Sequence, residues 1–143
     1  ANRGLAGIDG NISSALGVAS GHLQTFAVLG DLAFLHDITG LIECDDINCK
    51  FIVINNDGGG IFSTLSQRGI EGFEKVFGTP HGLDPAAIAK SFGVPSTTIT
   101  SIAELKNELI APIKGVSVVV AKVQSRDANA QYLKSIYEKM GSI

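Results

Sequence analysis

Apolar and polar positions along the chain fall into alternating blocks. Thr25-Phe26-Ala27-Val28-Leu29 and Phe51-Ile52-Val53-Ile54 are compact apolar runs, which suits strands buried on both faces. Between them Leu32, Leu35, Ile38, Leu41 and Ile42 recur close to helical spacing, so a helix over 32–42 follows the first strand directly. Residues 97–100 and 116–120 read as two further strands. Helices are predicted over 12–20, with Ser13-Ser14 as a cap before Gly21, and over 85–92, opened by Asp84-Pro85 and followed by Gly93. Ser101 with Glu104 forms a capping-box pattern ahead of a helix through Ile110. A last helix over 128–140 places Tyr132, Ile136 and Tyr137 on one apolar side. Residues 66–83, rich in Gly, read as a long loop with some local helix, and loops of that length tend to be functional.

Strands alternating with helices predict an α/β fold, a three-layer sandwich with a mostly parallel sheet. At 143 residues with 45% hydrophobic content, the chain is expected to form a single domain over 1–143. The formal charge of -3 gives no basic field for a nucleic-acid backbone. No apolar run approaches the roughly 20 residues of a membrane span, and no signal-peptide layout opens the chain. The reading is a soluble, cytoplasmic protein. Cys44 and Cys49 lie five apart, which is neither a disulfide framework nor a CxxC pair, and they read as ordinary reduced thiols. The opening Ala1-Asn2-Arg3-Gly4 looks like the middle of a longer protein.

In open parallel sheets ligands bind beyond the carboxyl ends of the strands. Here those ends are Gly30-Asp31 and Asn55-Asn56-Asp57-Gly58-Gly59-Gly60. A carboxylate, an amide oxygen and a glycine carbonyl are hard oxygen donors of the kind magnesium takes, and magnesium usually fills its other positions with water and phosphate oxygens. The glycines are expected to let backbone N–H groups approach those phosphates. Alone, Asp31 reads better as a helix cap and the glycines as a plain loop. Together, across one helical crossover, they are much more specific.

Gly30-Asp31 followed by Asn55-Asn56-Asp57-Gly58 resembles the metal and diphosphate signature of thiamine-diphosphate-dependent enzymes. By that resemblance the fold is the thiamine-diphosphate-binding fold, the cofactors are thiamine diphosphate and Mg, and Asp31, Asn56 and Gly58 are the metal ligands. Leu32 departs from the signature, standing where a third glycine is usual. With residues 2–10, residues 30–37, residues 55–63 and Gly78-Thr79-Pro80-His81-Gly82-Leu83, the chain resembles the menaquinone-pathway synthases of that superfamily. These decarboxylate 2-oxoglutarate and add the resulting carbanion to isochorismate. The resemblance is detailed over residues 2–83 and only architectural afterwards.

It implies that Gly30, Asp31, Leu32, Asn56, Gly58, Ile8, Ile61 and Phe62 hold the cofactor and that Arg3, Ile8 and Leu65 meet substrate. Arg3 suits that role because its planar fork pairs bidentately with carboxylates. Ile8, Ile61, Phe62 and Leu65 read equally well as core packing. His36 and His81 are given no catalytic role. No catalytic residue is expected in this chain, because the family's activating glutamate lies on a separate preceding domain; this chain by itself is expected to be inactive. Homo-oligomerisation through further domains is implied by resemblance. Two alternatives stay open: an acetolactate-synthase-like decarboxylase or carboligase, and a non-catalytic nucleotide-binding module, although G-x-G-x-x-G is absent after the first strand.

Overall fold

The computed structural model describes residues 7–42, 44 and 46–141. The chain divides into two compact units, one of residues 1–55 and 84–122, the other of residues 56–83 and 123–143.

The first unit is built on four strands, β1 (Thr25–Gly30), β2 (Cys49–Asn55), β3 (Ser96–Ile99) and β4 (Val116–Lys122), in the order β1-β2-β4-β3. All three pairings are parallel. On one face lie α1 (Asn11–Ala19), α2 (Asp31–His36) and α3 (Pro85–Ser91), whose Ile12, Leu16, Phe34, Ala86 and Ala89 close a core with Phe51, Val53, Val118 and Val120. On the other, α4 (Ile102–Ile110) brings Leu105 against Ile52, Ile99, Val119 and Ala121. Helices on both faces make this unit a three-layer α/β sandwich.

Burial along β2 is nearly continuous, as a central strand requires, but β1 alternates. Val28 is 68% exposed and Phe26 43% exposed, so the expectation that β1 is buried on both faces is corrected. The reason is position: β1 is an edge strand, and the α4 cluster covers only the opposite half of that face.

Local chemistry explains most helix ends. Asp84 caps α3 by accepting from the N–H groups of Ala86 and Ala87, with Pro85 in the first turn. Ser101 and Glu104 form a reciprocal capping box on α4. Four backbone N–H and hydroxyl donors fall on the Glu104 carboxylate from Thr100 and Ser101, and the Thr100 N–H leads in holding its pKa below the usual range.

Two helix expectations are corrected. Ser13 and Ser14 do not cap α1: its N-cap is Gly10, and Ser13 sends its own N–H to Asp37 Oδ2 at 2.8 Å. That same recruitment of Asp37 accompanies the break in the predicted 32–42 helix. The segment is α2 to His36, then a separate 3-10 turn at Ile38–Leu41.

The second unit holds a 3-10 turn at Gly60–Thr64, a π-type turn at Glu74–Gly78 and α5 (Arg126–Gly141). Ala130 is the buried residue of α5, with Leu133 and Ile136 half-buried. Tyr132 and Tyr137 are 64% and 66% exposed, so the expected apolar side of α5 is corrected to the Ala130, Leu133 and Ile136 stripe. No helix of the described residues is long and apolar enough to cross a membrane.

Candidate functional site

In the first unit, Asp31 sits where β1 ends and α2 begins, and it is 2% exposed. Gly30 lies opposite Ile54, so the chain leaves β1 at Asp31 beside the step where β2 runs on to Asn55. Asp31 Oδ1 accepts the N–H of Leu32 at 2.7 Å. A carboxylate removed from water this completely needs strong donors or a cation beside it. Leu32 is half-buried, and Gly30 is exposed with open space where a Cβ would stand. Helix α2 starts at Asp31 rather than Leu32, one residue earlier than expected. Ile8, on the turn before α1, is 43% exposed. Arg3 lies outside the described residues. His36 Nε2 stands 3.5 Å from Asp9 Oδ1.

In the second unit, residues 56–60 form a tight turn with Asp57 at φ 61 and Gly58 at φ 125, both left-handed. Asp at the first is tolerated because a short polar side chain suits that region; the second requires Gly. The structure changes the physical reason for the glycines. A Cβ at Gly58 would overlap the Gly78 carbonyl oxygen, and one at Gly59 would overlap that of Phe77. Gly59 N–H donates to Gly78 O at 2.8 Å, and Gly60 N–H to Gly58 O at 2.9 Å. Gly58 and Gly59 lack side chains because another stretch of backbone, 77–79, lies against them.

A sequence reading passes over Asp57 and Arg126. Asp57 Oδ1 accepts the N–H groups of Gly82 at 2.8 Å and His81 at 3.1 Å. Those bonds, Gly82 first, hold the Asp57 carboxyl below its usual pKa. His81 Nδ1 in turn accepts the N–H of Leu83 at 3.0 Å, so that nitrogen is an acceptor and its 3.6 Å approach to Asp57 Oδ1 is not a hydrogen bond. Arg126 Nη2 donates to Glu74 Oε2 at 2.6 Å, at the start of the π-type turn, while its Nη1 is buried without a hydrogen-bond partner. The one sequence signal for Asp57 is an acidic residue inside the Asn-Asn-Asp-Gly-Gly-Gly run.

The four apolar candidates can now be sorted. Ile61 is 70% exposed and Leu65 45% exposed, and only Phe62 is half-buried, against the Phe77 ring at 5.6 Å between centroids. Ile8, Ile61 and Leu65 therefore do not pack the core of this chain. An open cleft of about 520 Å³ lies elsewhere in the second unit, between Arg68, Phe73 and Asp127; Arg68 is spent on Asp127 at 3.0 Å, and no candidate residue lines it.

An all-parallel sheet with a buried carboxylate at a strand end defines a class of ligand-binding α/β domain, and comparison with known proteins specifies it. The profile described as "Thiamine pyrophosphate enzyme, C-terminal TPP binding domain" matches residues 2–123. The chain belongs to that family, whose cofactor is thiamine pyrophosphate. It is 41% identical to the 2-succinyl-5-enolpyruvyl-6-hydroxy-3-cyclohexene-1-carboxylate synthase of Thermobifida fusca (strain YX), covering 99% of this chain and 26% of that protein. To the synthase of the same name from Staphylococcus aureus (strain JH9) it is 37% identical, covering 100% of this chain and 26% of that one. The chain thus spans about a quarter of the length of these relatives. Among solved structures, a thiamine diphosphate-dependent 4-hydroxybenzoylformate decarboxylase from Rhodococcus jostii RHA1 superposes with TM-score 0.66 at 21% identity, over 82% of this chain and 23% of that one, which shows the fold. A thiamin diphosphate-dependent enzyme from Mycobacterium smegmatis gives TM-score 0.61 at 26% identity, over 82% of this chain and 22% of that one.

Proposed function

We propose that this chain is the diphosphate- and magnesium-binding part of a synthase that decarboxylates 2-oxoglutarate and adds the four-carbon carbanion to isochorismate. The observation that carries the reading is Asp31, a buried carboxylate at the carboxyl end of a strand in an all-parallel sheet. The 41% identity to a named synthase supports the substrate assignment.

Asp31, Asn56 and Gly58 supply a carboxylate, an amide and a carbonyl oxygen, a donor set that fits magnesium. Gly30 and Leu32 flank the carboxylate and would lie against the diphosphate. Bound thiamine diphosphate supplies the electron sink for decarboxylation; the chain supplies orientation and electrostatics. Ile8, Ile61 and Phe62 pack the cofactor, and the exposure of Ile8 and Ile61 favours this over core packing. Arg3 and Leu65 meet substrate, Arg3 through a carboxylate. The enzyme acts in the cytoplasm as a homo-oligomer, on small molecules and not on nucleic acid.

Titrating thiamine diphosphate with and without magnesium, with NAD as a control, tests the reading. Magnesium-linked affinity for thiamine diphosphate alone is expected, lost in Asp31→Ala. Unchanged magnesium-linked affinity in Asp31→Ala defeats the ligand assignment, and binding of NAD alone defeats the functional class.

A further inference from the structure

The turn that carries Asn56 and Gly58 is not shaped by local sequence alone. Within the second unit it is bound to a later segment at three points. Gly59 N–H reaches Gly78 O at 2.8 Å, and Asp57 Oδ1 receives Gly82 N–H at 2.8 Å and His81 N–H at 3.1 Å. The later segment is itself fixed. Leu83 N–H closes on His81 Nδ1, the His81 side chain is 10% exposed, and Glu74 at the head of the π-type turn is held by Arg126. Asp57 stands between the two proposed ligand residues, in a left-handed conformation that gives its carboxylate its direction.

We infer that Asp57 is a positioning residue: its carboxylate clasps residues 81–82 and thereby fixes the amide oxygen of Asn56 and the carbonyl of Gly58 for the metal. The inference rests on the magnesium reading above and deepens it. Both backbone N–H groups fall on its Oδ1, so the carboxylate ties the turn to residues 81–82, and groups that orient metal ligands contribute about 10–100-fold to metal affinity.

The design of the test follows from the backbone. Alanine at 57 would add left-handed strain to the loss of the acceptor, whereas Gly and Asn both tolerate φ near 60°. Asp57→Gly therefore removes the clasp without backbone strain, and Asp57→Asn keeps an acceptor oxygen while removing the charge. In the full-length protein, magnesium half-saturation is measured through thiamine diphosphate binding, together with hydrogen exchange at the Gly82 amide. Asp57→Gly is expected to raise the magnesium half-saturation about 10–100-fold and to deprotect Gly82. Asp57→Asn is expected to stay within about threefold of the unsubstituted protein, with Gly82 protected, because the neutral acceptor still makes the bonds.

Three results overturn the inference. One is a deprotected Gly82 amide in Asp57→Gly with unchanged magnesium half-saturation. Another is an Asp57→Asn protein that loses magnesium as severely as Asp57→Gly while Gly82 stays protected, which makes the charge decisive instead; this arm decides the matter if Asp57→Gly does not fold. The third is unsubstituted protein whose thiamine diphosphate affinity ignores magnesium, a result that removes the functional reading beneath the clasp rather than the clasp alone.

Discussion

The Cα of Gly58 faces the carbonyl oxygen of Gly78 so closely that a Cβ at residue 58 would overlap it. With φ at 125 the position is also closed to any L side chain. Gly58→Ala is therefore expected to cost at least about 2–3 kcal/mol, combining backbone strain with overpacking. Gly69 provides the control, since its φ is 86 but nothing lies within 4 Å of a Cβ there. Gly69→Ala should cost only about 1 kcal/mol. Urea unfolding of both variants checks this, and equal losses would show that the Gly78 contact is not the cause.

Lys50 is 4% exposed and sends its ammonium to Glu108 twice, to the backbone oxygen at 2.6 Å and to Oε2 at 3.2 Å. Glu108 lies in the last turn of α4, where a cation also meets the negative end of the helix. Glu108→Ala leaves a buried ammonium on the carbonyl alone and should cost about 1–2 kcal/mol, below the fully buried range because the Glu108 side chain is 32% exposed. Lys50→Met, which removes the charge and keeps the length, should cost under about 1.5 kcal/mol. A larger loss in Lys50→Met than in Glu108→Ala would reverse the account.

Glu104 has a carboxyl pKa lowered chiefly by the Thr100 N–H. A depressed carboxylate contributes stability that is complete above its unfolded pKa, about 4.3, and is lost as pH falls through the lower folded value. The stability gap between the unsubstituted protein and Glu104→Gln should then be widest near neutral pH and shrink on the acid side. Chemical denaturation across pH 2–7, a range chosen to bracket the roughly 4.3 unfolded pKa, measures it. A pH-independent gap would assign the effect to hydrogen-bond geometry rather than charge.

Arg3 is proposed to read substrate carboxylate through its planar fork. In the full-length enzyme Arg3→Ala should raise the apparent KM for substrate by about tenfold or more, the scale of a charge-assisted hydrogen bond. The affinity for thiamine diphosphate should change little. The reverse split, with cofactor affinity falling and KM unchanged, would place Arg3 on the cofactor.

Where a few neighbouring residues fix the outcome, the sequence was legible. Asp84-Pro85 and the Ser101 and Glu104 pair set their helices within one turn, and the apolar runs at 25–29 and 51–54 located β1 and β2 to within two residues at each end. Distant partners were not legible. Nothing near Ser13 announces that Asp37 will take its N–H, and nothing in β1 says that one of its faces stays uncovered. Asp31 was readable as a strand-end carboxylate, but its burial was not. The glycines after Asn56 were recognisable as a motif, while the carbonyls of Phe77 and Gly78 that require two of them lie some twenty residues away.

The strand order β1-β2-β4-β3 also governs when the molecule can assemble during synthesis. β1 and β2 come together across a short crossover, but β3 pairs only with β4, and β4 must slide between strands made before it. The hydrogen bond from Gly115 to Asn48, just ahead of the β2 and β4 pair, spans 67 residues. Closing loops of that length precedes any reward from the contacts, which slows folding of parallel sheets. A nascent chain released before residue 122 therefore holds one edge of β2 and all of β3 without their partner, the state in which an unpaired apolar strand recruits another chain.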